Sequence, residues 1–105
     1  MADRPKKPPI ATSIADVMAR VLDSAGLRGR VAQAGVIPEW PGLVGPTIAG
    51  VTEPVSISSD GTLLVAVRTN AWMNELSLLE PELLRALNRD AARPPIVRLR
   101  MRLMR

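Results

Sequence analysis

Arg98, Arg100 and Arg102 alternate with Leu99, Met101 and Leu103 near the end of a 105-residue chain. In an extended strand, side chains two apart project from one face about 6.5–7 Å from each other. Nucleic-acid backbone charges have a comparable spacing, so such a row can track a strand of phosphates. All three positions are Arg and none is Lys, which suits bidentate phosphate forks and stacking on bases. The competing reading is a solvated strand face whose like charges discourage edge pairing.

Other charged residues extend the list of candidates. Arg4, Lys6 and Lys7 sit in a proline-rich N-terminal stretch and can add non-specific affinity by counterion release. Arg28 and Arg30 lie off the apolar face of a short helical segment. Glu75, Glu80 and Glu82 fall on the exposed side of a later helix, where they form a solvated face or dock a basic protein patch. A catalytic carboxylate pair would need a pocket and raised pKa values. Trp40 and Trp72 are the only aromatic residues. Aromatics stack on bases in single-strand binders, but Trp72 lies on an apolar helical stripe and Trp40 among Ile37, Leu43 and Val44. Both therefore read as structural core. Gly42, Gly45 and Gly50 match no phosphate-binding fingerprint and read as tight backbone packing around Trp40.

Composition narrows the chemistry. The chain has no Cys, which excludes disulfides and thiolate metal sites. It has no His, the commonest general base and metal ligand. No metal, cofactor or small-molecule substrate is expected, and a binding role is favoured over an enzymatic one. No stretch reaches the roughly 18 apolar residues that a membrane span needs. The N-terminus lacks the apolar region of a secretory signal, so the cytoplasm is the expected compartment. Charge is unevenly spread. Residues 1–35 carry a net +3, residues 36–92 a net −4, and residues 93–105 five Arg and no acid. An acidic middle between basic ends suggests one surface for phosphate and another for a basic protein patch.

The positioning elements follow from periodicity. Residues 1–12 read as a flexible basic arm, and residues 13–105 as a single domain. Ser13 and Asp16 resemble a capping box, and Ile14, Val17, Val21 and Leu22 share one helical face, giving a helix over about 13–25. Leu27, Val31 and Ala34 continue at helical spacing until Gly35 and Pro38. The Pro/Gly-rich stretch 39–49 predicts short helical turns, with Pro41 and Pro46 in first-turn positions. A hairpin follows. Val55 and Ile57 share one face of its first strand, Asp60-Gly61 suits a type I′ turn, and Leu63, Val65 and Val67 face the core from the return strand. Pro54 places the first strand on an edge or beside a bulge. Asn70 is the expected cap of a helix over 71–89, kinked or broken near Glu80 by Pro81. Val97 to Leu103 forms the last strand. The class is α+β, in the order α-α-(short α)-β-β-α-β, with a three-stranded sheet backed by helices.

One ordered set of residues resembles a known family. It comprises Trp40, Leu43-Val44-Gly45 with Ile48-Ala49, and Thr52-Glu53-Pro54. Gly61-Thr62-Leu63, Val65-Ala66-Val67, Ala71-Trp72 with Glu75-Leu76, Leu83-Leu84 and Leu87-Asn88 follow, and the alternating Arg strand ends it. Together these look like the DciA-type domain, over about residues 13–102. The resemblance implies a K-homology-like fold and a role beside the replicative helicase of the DnaB type, assisting its loading onto single-stranded DNA in DNA replication. It also implies DNA binding by the chain itself. Gly42-Leu43-Val44-Gly45 has the letter spacing of the GXXG loop with which K-homology domains grip RNA, but no basic residue lies within it. On this reading Glu75 and Glu82 meet the helicase, while Arg98, Arg100, Arg102, Lys6, Lys7, Arg28 and Arg30 meet nucleic acid. The alternative is a general DNA- or RNA-binding protein with no dedicated helicase partner.

Overall fold

The computed structural model describes residues 9–24 and 26–105, with side chains at 14–21 and 26–105. Lys6 and Lys7, and most of the expected basic arm, lie outside the described residues. The elements are α1 (Pro9–Ser24), α2 (Leu27–Ala34), α3 (Val36–Val44), α4 (Pro46–Ala49), β1 (Thr52–Ile57), β2 (Thr62–Val67), α5 (Asn70–Leu78), α6 (Glu80–Leu87) and β3 (Arg98–Leu103). The α+β class and the element order agree with the sequence reading.

The local differences have physical causes. α1 begins at Pro9, so Ser13 and Asp16 lie within the helix rather than at its start. The fixed φ of proline suits a first helical position. Ile14, Val17 and Met18 on this helix are 56, 50 and 57% exposed, so its apolar face is not buried in the domain core. Gly26, at φ +72°, separates α1 from α2. Pro38 sits in the first turn of α3, where a missing N–H is tolerated, and Pro46 opens α4 as expected. Pro41 was expected in a first turn but stands inside α3, and the Gly45 N–H closes the helix onto its carbonyl at 3.0 Å.

β2 is the central strand, antiparallel to β1 and parallel to β3. A bulge between Pro54 and Ser56 leaves Val55 as the extra residue, 38% exposed. Ile57 pairs with Leu63 and Pro54 with Val65, so Val55 does not share the core face with Ile57 as simple alternation predicts. The turn is also not the expected two-residue type I′. Gly61 N–H donates to Ser58 O at 3.0 Å and Ser58 N–H to Thr62 O at 2.9 Å, with Gly61 at φ +87°. That pattern is a three-residue loop ended by a left-handed glycine.

The N-cap of α5 is Thr69, whose hydroxyl accepts the Trp72 N–H at 3.1 Å, and not Asn70. The expected break falls at Leu79, immediately before α6. Leu76, Leu83 and Leu87 of α5 and α6 pack with Val36 and Trp40 of α3 against Leu63, Val65, Val67 and Leu99. The segment leading into β3 is fixed by side chains. Asn88 accepts the Ile96 N–H at 2.8 Å and donates to the Ile96 carbonyl at 2.9 Å. Buried Gln33 of α2 donates to the Pro95 carbonyl at 2.9 Å. Val97 precedes β3 and is 51% exposed, outside the core-facing alternation.

Candidate nucleic-acid interface

Period-two geometry divides the sheet cleanly. Leu63, Val65, Val67, Leu99 and Met101 face the helices. The opposite face carries Thr62, Leu64 and Ala66 of β2, paired in register with Arg98, Arg100 and Arg102 of β3. Across β1, Ser56 pairs with Leu64 and Glu53 with Ala66. The three arginines are exposed on one face, as the alternation predicts. Two shallow depressions lie along this face. One, of about 460 Å³, is lined by Ser56, Ser58, Asp60, Thr62, Leu64 and Arg100. The other, of about 440 Å³, is bounded by Glu53, Val55, Ala66, Arg102 and Arg105 among others.

The arginines are not equivalent. Arg98 donates to the Thr62 hydroxyl at 2.9 Å and lies 3.3 Å from the Asp60 carboxylate. Asp60 also accepts the Ser58 hydroxyl proton and the Thr62 N–H at 3.1 Å. The Ser58 and Thr62 hydrogen bonds, helped by the Arg98 charge, hold its carboxyl down to about 2. Among the described residues no ion pair joins Arg100 or Arg102. Arg93 is 15% exposed and paired with Glu39 at 2.5 Å and Asp90 at 3.8 Å, so part of the basic C-terminal count is neutralised within the fold.

The other candidates lie elsewhere. Arg28 and Arg30 are exposed on α2, a separate element from the arginine strand. Trp40 is 3% exposed, with its indole N–H donated to the Thr52 hydroxyl at 2.9 Å, which places it in the core. Trp72 is half-buried against the core from α5, on the helix-covered side of the sheet. Neither ring offers a stacking platform beside the arginines. Glu75 is exposed on α5, and Glu82 is exposed on α6, 3.9 Å from Arg85. Glu80 acts structurally, its carboxylate accepting the Leu99 N–H at 2.8 Å.

A Cβ at Gly42 or Gly45 would meet nothing within 4 Å, so neither glycine makes a close approach around Trp40. Gly45 is instead placed for its backbone, at φ +92° between α3 and α4. Ser56, Ser58 and Thr62, which line the depression with Arg100, are a group that sequence reasoning missed. Local spacing gives little signal for it, because Ser56 lies on β1, Ser58 in the hairpin loop and Thr62 on β2, with β2 between β1 and the arginine strand. Among the described residues, no group of three acidic side chains could hold a metal ion, and no helix is long and apolar enough to cross a membrane.

Comparison with known proteins places these features in a family. The family model described as "Dna[CI] antecedent, DciA" matches residues 13–101. A UPF0232 protein of Streptomyces avermitilis is 35% identical over 72 residues, covering 68% of this chain and 40% of that protein. A UPF0232 protein of Mycolicibacterium smegmatis is 34% identical over 61 residues, covering 58% of this chain and 31% of that protein. The matched segment thus spans less than half the length of either relative.

Proposed function

The chain belongs to the DciA family, and from that premise we propose that it is a non-enzymatic cytoplasmic adaptor that binds the replicative DNA helicase and single-stranded DNA and assists helicase loading. The observation that carries the nucleic-acid half is the open sheet face on which Arg100 and Arg102 are exposed and, among the described residues, form no ion pair. Exposed guanidiniums in register bind phosphate oxygens in forks and release counterions on doing so. The neighbouring exposed Ser56 hydroxyl supplies a neutral donor for the same oxygens. The helicase half is supported by family membership and by the separation of charge, since Glu75 and Glu82 lie on α5 and α6, the helices that cover the other side of the sheet. The order β-β-α-α-β with a mixed sheet is consistent with the K-homology-like fold that the family resemblance implies.

The deciding experiment mixes the purified protein with the replicative helicase of its own organism, with and without single-stranded DNA, at two salt concentrations. Tight helicase binding and faster helicase assembly on DNA are expected. Salt-sensitive DNA binding with no helicase binding would reduce the function to a nucleic-acid-binding domain.

A further inference from the structure

Arg98 and Asp60 sit 38 residues apart in sequence and meet at one end of the arginine row. Asp60 is fixed from behind, because its Oδ1 accepts both the Ser58 hydroxyl and the Thr62 N–H. Its Oδ2 is turned toward the Arg98 guanidinium at 3.3 Å. The same guanidinium nitrogen donates to the Thr62 hydroxyl at 2.9 Å. We infer that Asp60 closes the row: Arg98 belongs to the hairpin, and the phosphates are read by Arg100 and Arg102 alone. This inference rests on the nucleic-acid reading above and sets its footprint.

The closure does not need a strong ion pair. Both side chains are more than half exposed, and exposed pairs contribute little to stability. What matters is local neutrality. A phosphate placed at Arg98 would lie beside the Asp60 carboxylate, which like any ordinary aspartate is ionised at neutral pH. That repulsion offsets the attraction to Arg98, and a neutral locus releases few counterions when it binds. Asp60 also borders the depression beside Arg100, and Glu53 the one beside Arg102, but among the described residues neither arginine is drawn into an ion pair. The two depressions fall on these same residues, one lined by Arg100 and the other by Arg102. Asp60 is thus a specificity-determining residue that limits how many phosphates the face can engage.

Asp60→Asn isolates the effect. The amide oxygen can keep both turn hydrogen bonds, while the amide nitrogen turned toward Arg98 repels it and frees it for phosphate. The test is fluorescence anisotropy of a labelled oligothymidylate with the full chain, between about 50 and 200 mM salt. The variants are Arg98→Ser, Asp60→Asn, Asp60→Asn/Arg98→Ser and Arg100→Ser/Arg102→Ser, each checked by thermal melting. Each phosphate contact contributes about 0.7 to the slope of log affinity against log salt for a single strand. Arg98→Ser bares the Asp60 carboxylate and should lower affinity, whereas Arg100→Ser/Arg102→Ser should flatten the slope by about 1.4. Asp60→Asn should steepen it by about 0.7, and adding Arg98→Ser should restore the wild-type value.

A slope for Asp60→Asn/Arg98→Ser flatter than wild type would overturn the closure, since the neutral locus would then have lost a phosphate contact. So would an Asp60→Asn gain that survives removal of Arg98, since that is a general field effect. Wild-type binding that ignores Arg100→Ser/Arg102→Ser, or no binding at all, would instead reject the nucleic-acid reading of the face, and the closure with it.

Discussion

The indole N–H of Trp40 donates to the Thr52 hydroxyl at 2.9 Å, and that hydroxyl donates onward to the Ile48 carbonyl at 2.6 Å. The relay ties α3, the first residue of β1 and α4 together through two residues that are 3 and 7% exposed. Thr52→Val conserves shape but leaves the buried N–H without its acceptor, so a loss of about 1–3 kcal/mol is expected in urea unfolding. Thr52→Ser keeps the acceptor and should lose less. Trp40→Ala should cost about 3–5 kcal/mol, as for a buried aromatic. A Thr52→Val variant as stable as wild type would show that water replaces the hydroxyl.

Gly61 needs its missing side chain twice. Its φ is +87°, and a Cβ there would lie 2.8 Å from Val97 Cγ2. Its carbonyl also accepts the Val97 N–H at 2.8 Å, joining the hairpin to the entry of β3. Gly61→Ala should cost about 1–2 kcal/mol for the backbone conformation alone, with the clash in addition. Val97→Ala in that background should recover the steric share and leave the conformational one. No recovery in the double variant would mean that the backbone term dominates.

Much of this was legible locally, because local spacing carries it. The alternation at Arg98–Leu103 sets the facing of β3, Gly61 marks the turn, and Pro81 marks the break between α5 and α6. What was not legible depends on residues far apart in sequence. Asp60 meets Arg98 across 38 positions, and Glu39 meets Arg93 across 54, so no window of sequence separates tied arginines from free ones. The bulge at Pro54/Ser56 is set by the register of two strands together, which is why Val55 left the expected face. The loop glycine was recognised but not its turn, because Ser58 closes a longer loop than Asp60-Gly61 alone implies.

Glu80 holds the strand that carries the arginines. Its carboxylate accepts the Leu99 N–H at 2.8 Å, so the end of α6 nearest β3 anchors an amide of that edge strand. Glu80→Ala removes the acceptor and should cost about 1–3 kcal/mol, with faster hydrogen exchange at the Leu99 amide. Glu80→Gln retains an acceptor oxygen and should restore most of the protection. Equal exchange at Leu99 in wild type and Glu80→Ala would mean that the amide is protected by another group.

Asp60 gives the domain an acid-sensitive contact. Its folded pKa of about 2 lies below the ordinary 3.8, lowered first by the Ser58 hydrogen bond and then by Thr62. A carboxyl with a depressed folded pKa contributes stability that is fully present above its unfolded pKa and lost as pH falls through the folded one. The window is therefore about pH 4 down to about pH 2. The stability difference between wild type and Asp60→Asn, which cannot titrate, should be constant above that window and shrink across it. A difference that stays constant down to pH 2 would mean that the carboxylate hydrogen bonds do not discriminate between protonation states.

Glu75 and Glu82 offer the sharpest separation of the two proposed partners. Both are exposed, and Glu82 is 3.9 Å from an exposed Arg85, so neither contributes much to the fold. Reversing both to Lys should cost at most about 1 kcal/mol, mainly from placing a cation in the first turn of α6. If α5 and α6 present the surface that meets a basic patch on the helicase, association should slow by about tenfold or more at low salt. The deficit should narrow as salt rises, since exposed charges are screened. DNA affinity measured in parallel should not fall, because the two helices cover the face opposite Arg100 and Arg102. An unchanged helicase on-rate in the double variant would move the protein-facing surface off these helices, and weakened DNA binding would mean that the two faces are not independent.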